Sequence, residues 1–344
     1  MHISLFDYSL PKKLVAQYPV SKRDESRLMI INRETGNISH RSFHNIIDYL
    51  SEGDLLIINN TKVIPARLRG IKEATGANIE ILLVRDLGNN IWSVIAKPSK
   101  RLKTGIIINF SENLSAKVIE KKEDGVIMLK FSFTGNFMEI LSRIGQVPLP
   151  PYIKRPSIKS YDTERYQTVY AKEAGSIAAP TAGLHFTKSL LRKINEKGIK
   201  IVDVTLHVSV GTFKPVTETE IEKHQMQSEY YEVTKGAFST VKKAIQEQKR
   251  IIAVGTTAMR VLESVDFNAE NSNGNLSAQT DLFIYPGYKF KVVNAIITNF
   301  HLPKSTLLIL IHTFAGRKLI TRAYEEAIER EYRFYSYGDV MFVA

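Results

Sequence analysis

Gly53-Asp54-Leu55-Leu56-Ile57-Ile58-Asn59-Asn60-Thr61-Lys62-Val63 is where one kind of chain gives way to another. The aliphatic run at its centre reads as a buried strand, entered from a turn at Gly53. Upstream, residues 27–32 form a second apolar run, ended by the turn-like Arg33-Glu34-Thr35-Gly36. Between the two, Phe43, Ile46, Ile47 and Leu50 recur at i, i+3, i+4, i+7, the spacing of one helix face, and Gly53 can end that helix. The first 62 residues therefore read as α/β.

From Val63 onward the rhythm is different. Short β-type runs cover residues 64–69, 78–85, 91–96, 105–110, 114–120 and 126–133, separated by turn signals such as Gly76, Gly88-Asn89-Asn90 and Asp124-Gly125. Strands so short and so closely spaced argue for a small barrel or sandwich. A short helix over 137–144 closes this segment before Pro148-Leu149-Pro150-Pro151. The α/β rhythm then returns. Thr187 can cap a helix with Leu190, Leu191 and Ile194 inward and Gly198 at its end. A strand over 201–208, a helix over 238–248 and a strand over 250–254 follow, and Gly255-Thr256-Thr257 opens another helix. Residues 267–279, rich in Asn and Ser, read as an exposed loop. A strand over 295–298 and helices over 306–315 and 320–331 complete the chain. The expected fold class is α/β (α+β): a discontinuous α/β core domain, 1–62 plus 151–344, with an all-β barrel-like domain, 63–150, inserted.

The 344 residues carry 47 Lys+Arg against 35 Asp+Glu, a formal net charge of +12, and no cysteine. The missing cysteine excludes disulfides, a thiolate nucleophile and Cys-ligated metal. The start, Met1-His2-Ile3-Ser4-Leu5-Phe6-Asp7, lacks the basic and apolar regions of a secretory signal, and no apolar run is long enough to span a bilayer, so a cytoplasmic protein without membrane contact is expected. The positive surplus favours a polyanionic partner. Lys97, Lys100, Arg101 and Lys103 form one acid-free cluster and Lys154, Arg155 and Lys159 another. These are candidate phosphate contacts, expected on the same side of the molecule as the histidines, or simply solvated loops.

Small polar residues, glycines and histidines concentrate just past the apolar strands, where α/β folds bind ligands. At Gly255-Thr256-Thr257 a strand ends and two hydroxyls meet the free N–H groups of a helix start, which suits a carboxylate, ribose hydroxyls or phosphate, or merely caps a helix. Arg260 can add a carboxylate fork. The run from Gly175 to Thr187, including Thr181, lacks bulky side chains over most of its length and allows a flat ligand to lie against the backbone, or a tight packing turn. His185, His207, His224 and His301 all have polar neighbours, but none of the four belongs to a His-x-x-x-His pair, so proton transfer suits them better than zinc. A histidine at a strand end is commonly structural, so at most two of the four are expected to move protons. Arg165-Tyr166-Gln167 and the segment from Tyr332 to Asp339, with Tyr335 and Tyr337, set aromatic rings beside arginines, as base stacking requires; the same pattern fits a core rim.

Taken together these segments resemble the S-adenosylmethionine:tRNA ribosyltransferase-isomerase family of queuosine biosynthesis. The resemblance is carried by Asp7-Tyr8-Ser9-Leu10-Pro11, the stretch from Gly53 to Leu68, Pro148-Leu149-Pro150-Pro151-Tyr152-Ile153, Glu164-Arg165-Tyr166-Gln167-Thr168, Leu206-His207-Val208, Gly211-Thr212-Phe213, Gly255-Thr256-Thr257, Thr298-Asn299-Phe300-His301-Leu302-Pro303 and Tyr335-Ser336-Tyr337-Gly338-Asp339. It runs collinearly over essentially the whole chain.

The resemblance implies an α/β domain with an inserted β-barrel. It implies transfer and isomerisation of the ribosyl moiety of S-adenosylmethionine onto 7-aminomethyl-7-deazaguanine at the tRNA wobble position, giving epoxyqueuosine-tRNA, adenine and methionine. S-adenosylmethionine is then a co-substrate, the tRNA anticodon arm the partner, and no resident cofactor, metal or obligate protein partner is called for. The expected proton-handling residues are His185, His207, His224 and His301. Thr256, Thr257 and Arg260 are candidates for the methionine end or the ribose, and Arg165, Tyr166 and Gln167 for the deazaguanine. Thr181, Thr212, Phe213, Glu229, Gly255, Thr298, Asn299, Tyr335 and Tyr337 complete the expected substrate contacts. Some positions depart from the family pattern: Ser209 replaces the usual Gly after His207-Val208, Gln227 replaces the second His of His-x-Met-His-x-Glu in His224-Gln225-Met226-Gln227-Ser228-Glu229, and His312-Thr313 differ within an expected helix, where drift is cheap.

Overall fold

The computed structural model describes residues 1–122, 125–155, 157, 159–209, 215–269 and 274–344. In chain order the first strands are β1 (Arg27–Ile31), β2 (Ile38–Ser42), β3 (Leu55–Asn59) and β4 (Thr61–Val63). Then come β5 (Arg67–Lys72), β6 (Asn78–Asp86), β7 (Ile91–Lys97), β8 (Ile107–Ser111), β9 (Leu114–Lys121), β10 (Ile127–Phe133) and helix α1 (Phe137–Ile144). The remainder comprises α2 (Asp162–Arg165), β11 (Glu173–Ser176), α3 (Lys188–Glu196), β12 (Lys200–Leu206), β13 (Glu229–Val233), α4 (Lys235–Gln246), β14 (Ile251–Val254), α5 (Gly255–Ser264), β15 (Leu276–Thr280), β16 (Ala295–Asn299), α6 (Thr306–Ala315), α7 (Arg317–Glu329) and β17 (Val340–Val343).

Nine strands form one mixed sheet in the order β15-β13-β12-β3-β14-β16-β17-β1-β2. Its centre, β12-β3-β14-β16, is parallel, so four strand ends point the same way. Strands β3, β14 and β16 are buried at every position, as strands covered on both faces must be. Alternate residues serve opposite layers: Leu55 and Ile57 join the core that holds Val241 of α4 and Leu262 of α5, while Leu56 and Ile58 join Leu190 and Ile194 of α3.

Strands β5 to β10 close into a six-stranded barrel, ordered β10-β7-β6-β5-β8-β9 and antiparallel throughout. Residues alternate between a buried and an outward face along β6, β9 and β10. Helix α1 contributes Ile140 and Leu141 to the barrel core, and Phe137 packs on Trp92, Phe131 and Phe133. A separate parallel pair, β4 with β11, lies where the chain passes between core and barrel.

Three sequence expectations need correction. The amphipathic stretch at 43–50 is a 3₁₀ helix, Phe43–Tyr49, which still buries Phe43 and Ile46. Leu276–Thr280, expected within a loop, is strand β15, because a polar strand at the edge of the sheet needs hydrogen-bond partners and not an apolar face. Helix α4 begins a turn earlier than read, since the Thr234 side chain accepts from the Ala237 N–H.

One buried amide ties the strand ends together. Asn59 ends β3, and its Nδ2 donates to Leu206 O (3.0 Å) and Thr257 Oγ1 (3.1 Å), while its Oδ1 accepts from Leu206 N and Thr61 N (both 3.1 Å). The side chain thus joins β3 to β12, α5 and β4 at once. Asn59→Ala strands several buried backbone groups, each costing about 1–3 kcal/mol. The expected loss is about 3–5 kcal/mol in urea unfolding; a loss below about 1 kcal/mol would show that the strand ends hold without this amide.

Candidate functional site

Two cavities open at the carboxyl ends of the parallel strands, the position ligands take in such sheets. The larger, about 490 Å³, lies between core and barrel. The core contributes Gly175, His207, Ser209, Gln227, Glu229 and Tyr230; the barrel contributes Val84, Arg85, Asp86, Trp92 and Ser93. The smaller, about 30 Å³, is bounded by Thr181, Gly255, Thr256, Thr257, Thr298, Asn299 and His301. Consecutive residues divide between them: His207 and Ser209 face the larger and Val208 the smaller.

His207 follows β12. Its Nδ1 lies 2.8 Å from Thr61 Oγ1, and its ring stacks on Tyr230 with centroids 5.7 Å apart and planes at 19°. Burial pulls its pKa below the ordinary imidazole value, partly opposed by Glu173 and Glu232. Glu229 is buried beside it; its carboxylate accepts from the Ser209 N–H (2.8 Å) and from the Arg260 guanidinium. Ser209 and Gln227, two of the departures from the family pattern, face each other across the cavity wall, with the Ser209 hydroxyl donating to Gln227 Oε1 at 3.4 Å.

In the smaller cavity Gly255 begins α5 with φ +89°, a conformation that favours glycine, and no side chain caps the helix. Among the described residues the first-turn N–H groups of α5 therefore have no side-chain acceptor. His301 Nε2 lies 2.7 Å from Thr298 Oγ1, and burial lowers the His301 pKa to about 3. Asn299 is buried and its Oδ1 has no partner among the described residues, whereas its Nδ2 faces the carbonyls of Tyr335 (3.2 Å) and Asp339 (3.3 Å).

The other expected site residues are placed elsewhere. His185 has both ring nitrogens engaged. Two carbonyls facing Asn299 Nδ2 fix it as the amide nitrogen, so it donates to His185 Nε2 at 3.1 Å. Nδ1 then carries the proton toward Ser26 Oγ (2.6 Å), which passes its own to Arg23 O (3.3 Å). Burial, with Arg333 and Arg23 nearby, lowers the His185 pKa to about 3. This is a fully bonded structural histidine. His224 pairs with Glu218 Oε2 (2.9 Å), packs edge-on to Phe283 and lines neither cavity.

Arg260 is not a free carboxylate fork: it is spent on Glu229, Leu282 O (3.1 Å) and Thr280 O (3.4 Å). Gln167 acts as a backbone mimic, accepting from Val63 N (2.9 Å) and donating to Val63 O (3.1 Å). Arg165 donates to Ser21 O (2.8 Å) and Val20 O (2.6 Å). Tyr166, Tyr335 and Tyr337 are buried, so these rings form core and offer no face to a base. Arg155, expected on phosphate, is enclosed with Asp162 at 2.6 Å, its side chain 2% exposed. Thr212 and Phe213 lie outside the described residues.

Lys97, Lys100, Arg101, Lys103 and Lys154 are exposed. The first four lie at or beyond the end of β7 away from the large cavity. β7 begins beside the large cavity at Trp92 and ends at Lys97, roughly 16 Å further along the strand. Lys121 joins this far end by donating to Ser99 O (2.9 Å), and Glu80 is opposite Lys97. No helix among the described residues is long and apolar enough to cross a membrane. Sequence reading missed Thr61, Asn59 and Ser26 as site supports; only the Thr-Lys after an apolar strand hinted at the first.

The sequence model of the family described as Queuosine biosynthesis protein matches residues 3–343. Among solved structures, the crystal structure of an S-adenosylmethionine tRNA ribosyltransferase from Thermotoga maritima is 38% identical, covers 99% of this chain and 100% of its own, and superposes with a TM-score of 0.56.

The buried imidazoles set a pH dependence. Unfolded histidine titrates near pH 6.5, whereas folded His185 and His301 bind a proton only near pH 3. The unfolded chain therefore binds more protons between these values, and stability present above pH 6.5 is lost as pH falls. His301→Gln should reduce the loss between pH 6.5 and 5 by about 2 kcal/mol in urea titrations. An unchanged slope would mean that His301 is charged in the fold.

Proposed function

The chain belongs to the queuosine biosynthesis protein family, and from that premise we propose that it transfers and isomerises the ribosyl moiety of S-adenosylmethionine onto 7-aminomethyl-7-deazaguanine at the tRNA wobble position. The products are epoxyqueuosine-tRNA, adenine and methionine. The observation that carries this reading is the cavity of about 490 Å³ between core and barrel, of a size for a small-molecule ligand and bordered by an imidazole whose Nε2 bonds to none of the described residues. The named activity of the 38%-identical relative supports the same reaction class.

The chemistry asks for few parts. The sulfonium acidifies the neighbouring ribose C5′ hydrogens, and neutral His207 is suited to take a proton there. The acceptor amine must be neutral to attack, which a partly dry cavity beside Trp92 favours. The smaller cavity, with the uncapped start of α5, Thr256 and Thr257, suits a carboxylate or ribose hydroxyls. His301 beside Thr298 is a candidate donor to leaving adenine, and Asn299 Oδ1 a buried acceptor for a ligand N–H. Arg260, Gln167 and Arg155 act in this reading only by holding the walls.

The far end of the barrel meets tRNA. Exposed Lys97, Lys100, Arg101 and Lys103 stand well away from the cavity, a spacing that suits phosphates beyond the anticodon loop of an RNA whose wobble base is in the cavity. Lys154 adds a candidate contact nearer the core.

Adenine release from S-adenosylmethionine should require tRNA bearing the aminomethyl base. S-adenosylhomocysteine as product would instead indicate methyl transfer, and no turnover with competent tRNA would leave a binding protein. Replacing Lys97, Lys100, Arg101 and Lys103 by Ala should raise the KM for tRNA about tenfold and reduce its salt slope, with S-adenosylmethionine binding unchanged. Unaltered tRNA kinetics would make that loop solvated surface only.

A further inference from the structure

We infer that Thr61 and Gly175 are positioning residues that present His207 to the large cavity as a proton acceptor at Nε2. The kinetic consequences rest on the proposed reaction; the tautomer involved is a property of the protein without substrate.

The parallel pair β4–β11 grips the ring from two sides. Glu173 is opposite Thr61 and Ala174 opposite Lys62, but Ser176 is opposite Val63, so Gly175 bulges out of the ladder. Its φ is +150°, and a Cβ built there would lie 2.8 Å from His207 Nε2 and 2.9 Å from Cε1. Any side chain at 175 would therefore press on the edge of the ring that carries Nε2. Gly175 and His207 both border the cavity, and among the described residues Nε2 has no hydrogen-bond partner.

The other nitrogen fixes the tautomer. Thr61 Oγ1 lies 2.8 Å from His207 Nδ1 and 3.5 Å from Glu173 O. A hydroxyl has one proton, and the carbonyl can only accept. Both contacts are satisfied only when Nδ1–H donates to Thr61 and Thr61 donates to Glu173 O. That arrangement leaves a lone pair on Nε2. When Nε2 takes a proton from bound substrate, the bonding electrons stay with the substrate and the imidazolium keeps its Nδ1–H on Thr61. Stacked Tyr230 holds the ring plane. Glu173 and Glu232 favour the cation while burial opposes it; Arg85, Asp86 and the Arg260-bound Glu229 border the same cavity.

Imidazole ¹⁵N spectra of the full-length protein, with His207→Gln used for assignment, should show His207 protonated at Nδ1 and bare at Nε2. A proton on Nε2 would overturn the inference. In kinetics, Thr61→Val should lower kcat about tenfold or more with both KM values unchanged, and Thr61→Ser should restore it. Loss of a charge-assisted bond lowers the His207 pKa, so the acid limb of the kcat profile should move to lower pH in Thr61→Val. Gly175→Ala should lower kcat about hundredfold. Folded Thr61→Val and Gly175→Ala proteins with wild-type turnover and pH profile would overturn it as well. If the wild-type protein releases no adenine with competent tRNA, the proposed reaction fails, and the spectra still decide the tautomer.

Discussion

The amide of Asn59 is the constraint from which the site is built. Two donors and two acceptor directions are all used, so the group is buried at no loss of hydrogen bonding. It continues the pairing of β3 with β12 past the last backbone rung, Asn59 opposite Val204. It also fixes the start of α5 through Thr257 and the start of β4 through Thr61. Thr61 in turn meets His207. Two polar contacts, Asn59 to Thr61 and Thr61 to His207, thus run from the middle of the sheet to the cavity wall, where the His207 Nε2 is left facing the cavity. Neither a carboxylate, with no donor, nor an aliphatic side chain, with no polar atom, could replace the Asn59 amide.

Much of the architecture was legible because it is written in local periodicity. Helices α1 and α6 have the bounds that the apolar spacing predicts, and the barrel strands fall within two or three residues of theirs. What escaped reading depends on partners far away in sequence. β13 (EYYEV) and β15 (LSAQT) are too polar to look like strands, and they exist because each supplies the other's ladder. The four histidines looked alike in sequence. They differ in the fold because Ser26 and Asn299 close both nitrogens of His185, Glu218 holds His224, and only His207 borders the large cavity. The bulge at Gly175 could not be foreseen, since it arises from pairing with β4 across the whole barrel insertion.

The formal charge of +12 lies on the surface undiminished, because the two arginines enclosed in the interior are each matched by an enclosed acid. Arg155 and Arg260 are enclosed with Asp162 and Glu229, where each pair holds two segments in register. Such pairs add little net stability against apolar packing, and removing one partner leaves an uncompensated buried charge. The aromatic stretch from Tyr332 to Tyr337 is likewise interior, with Phe334 between Tyr324 and Phe300. Of the cations left outside, Arg85 borders the large cavity, while Lys97, Lys100, Arg101 and Lys103 lie toward the other end of β7.

The strand order carries a consequence for how the chain reaches this state. β1 pairs with β2 and with β17, and it has no other partner in the sheet. β17 follows far later in the chain, so on the ribosome β1 must wait for a partner that emerges long after it. The barrel is in the reverse situation: all its strands lie between Arg67 and Phe133, and its contacts are comparatively local. Contacts of low sequence separation close first. A nascent chain of this protein would thus carry a finished barrel on an open, half-made sheet, with the Leu28–Ile31 edge facing β17 unpaired and in need of protection from other chains until β17 has emerged.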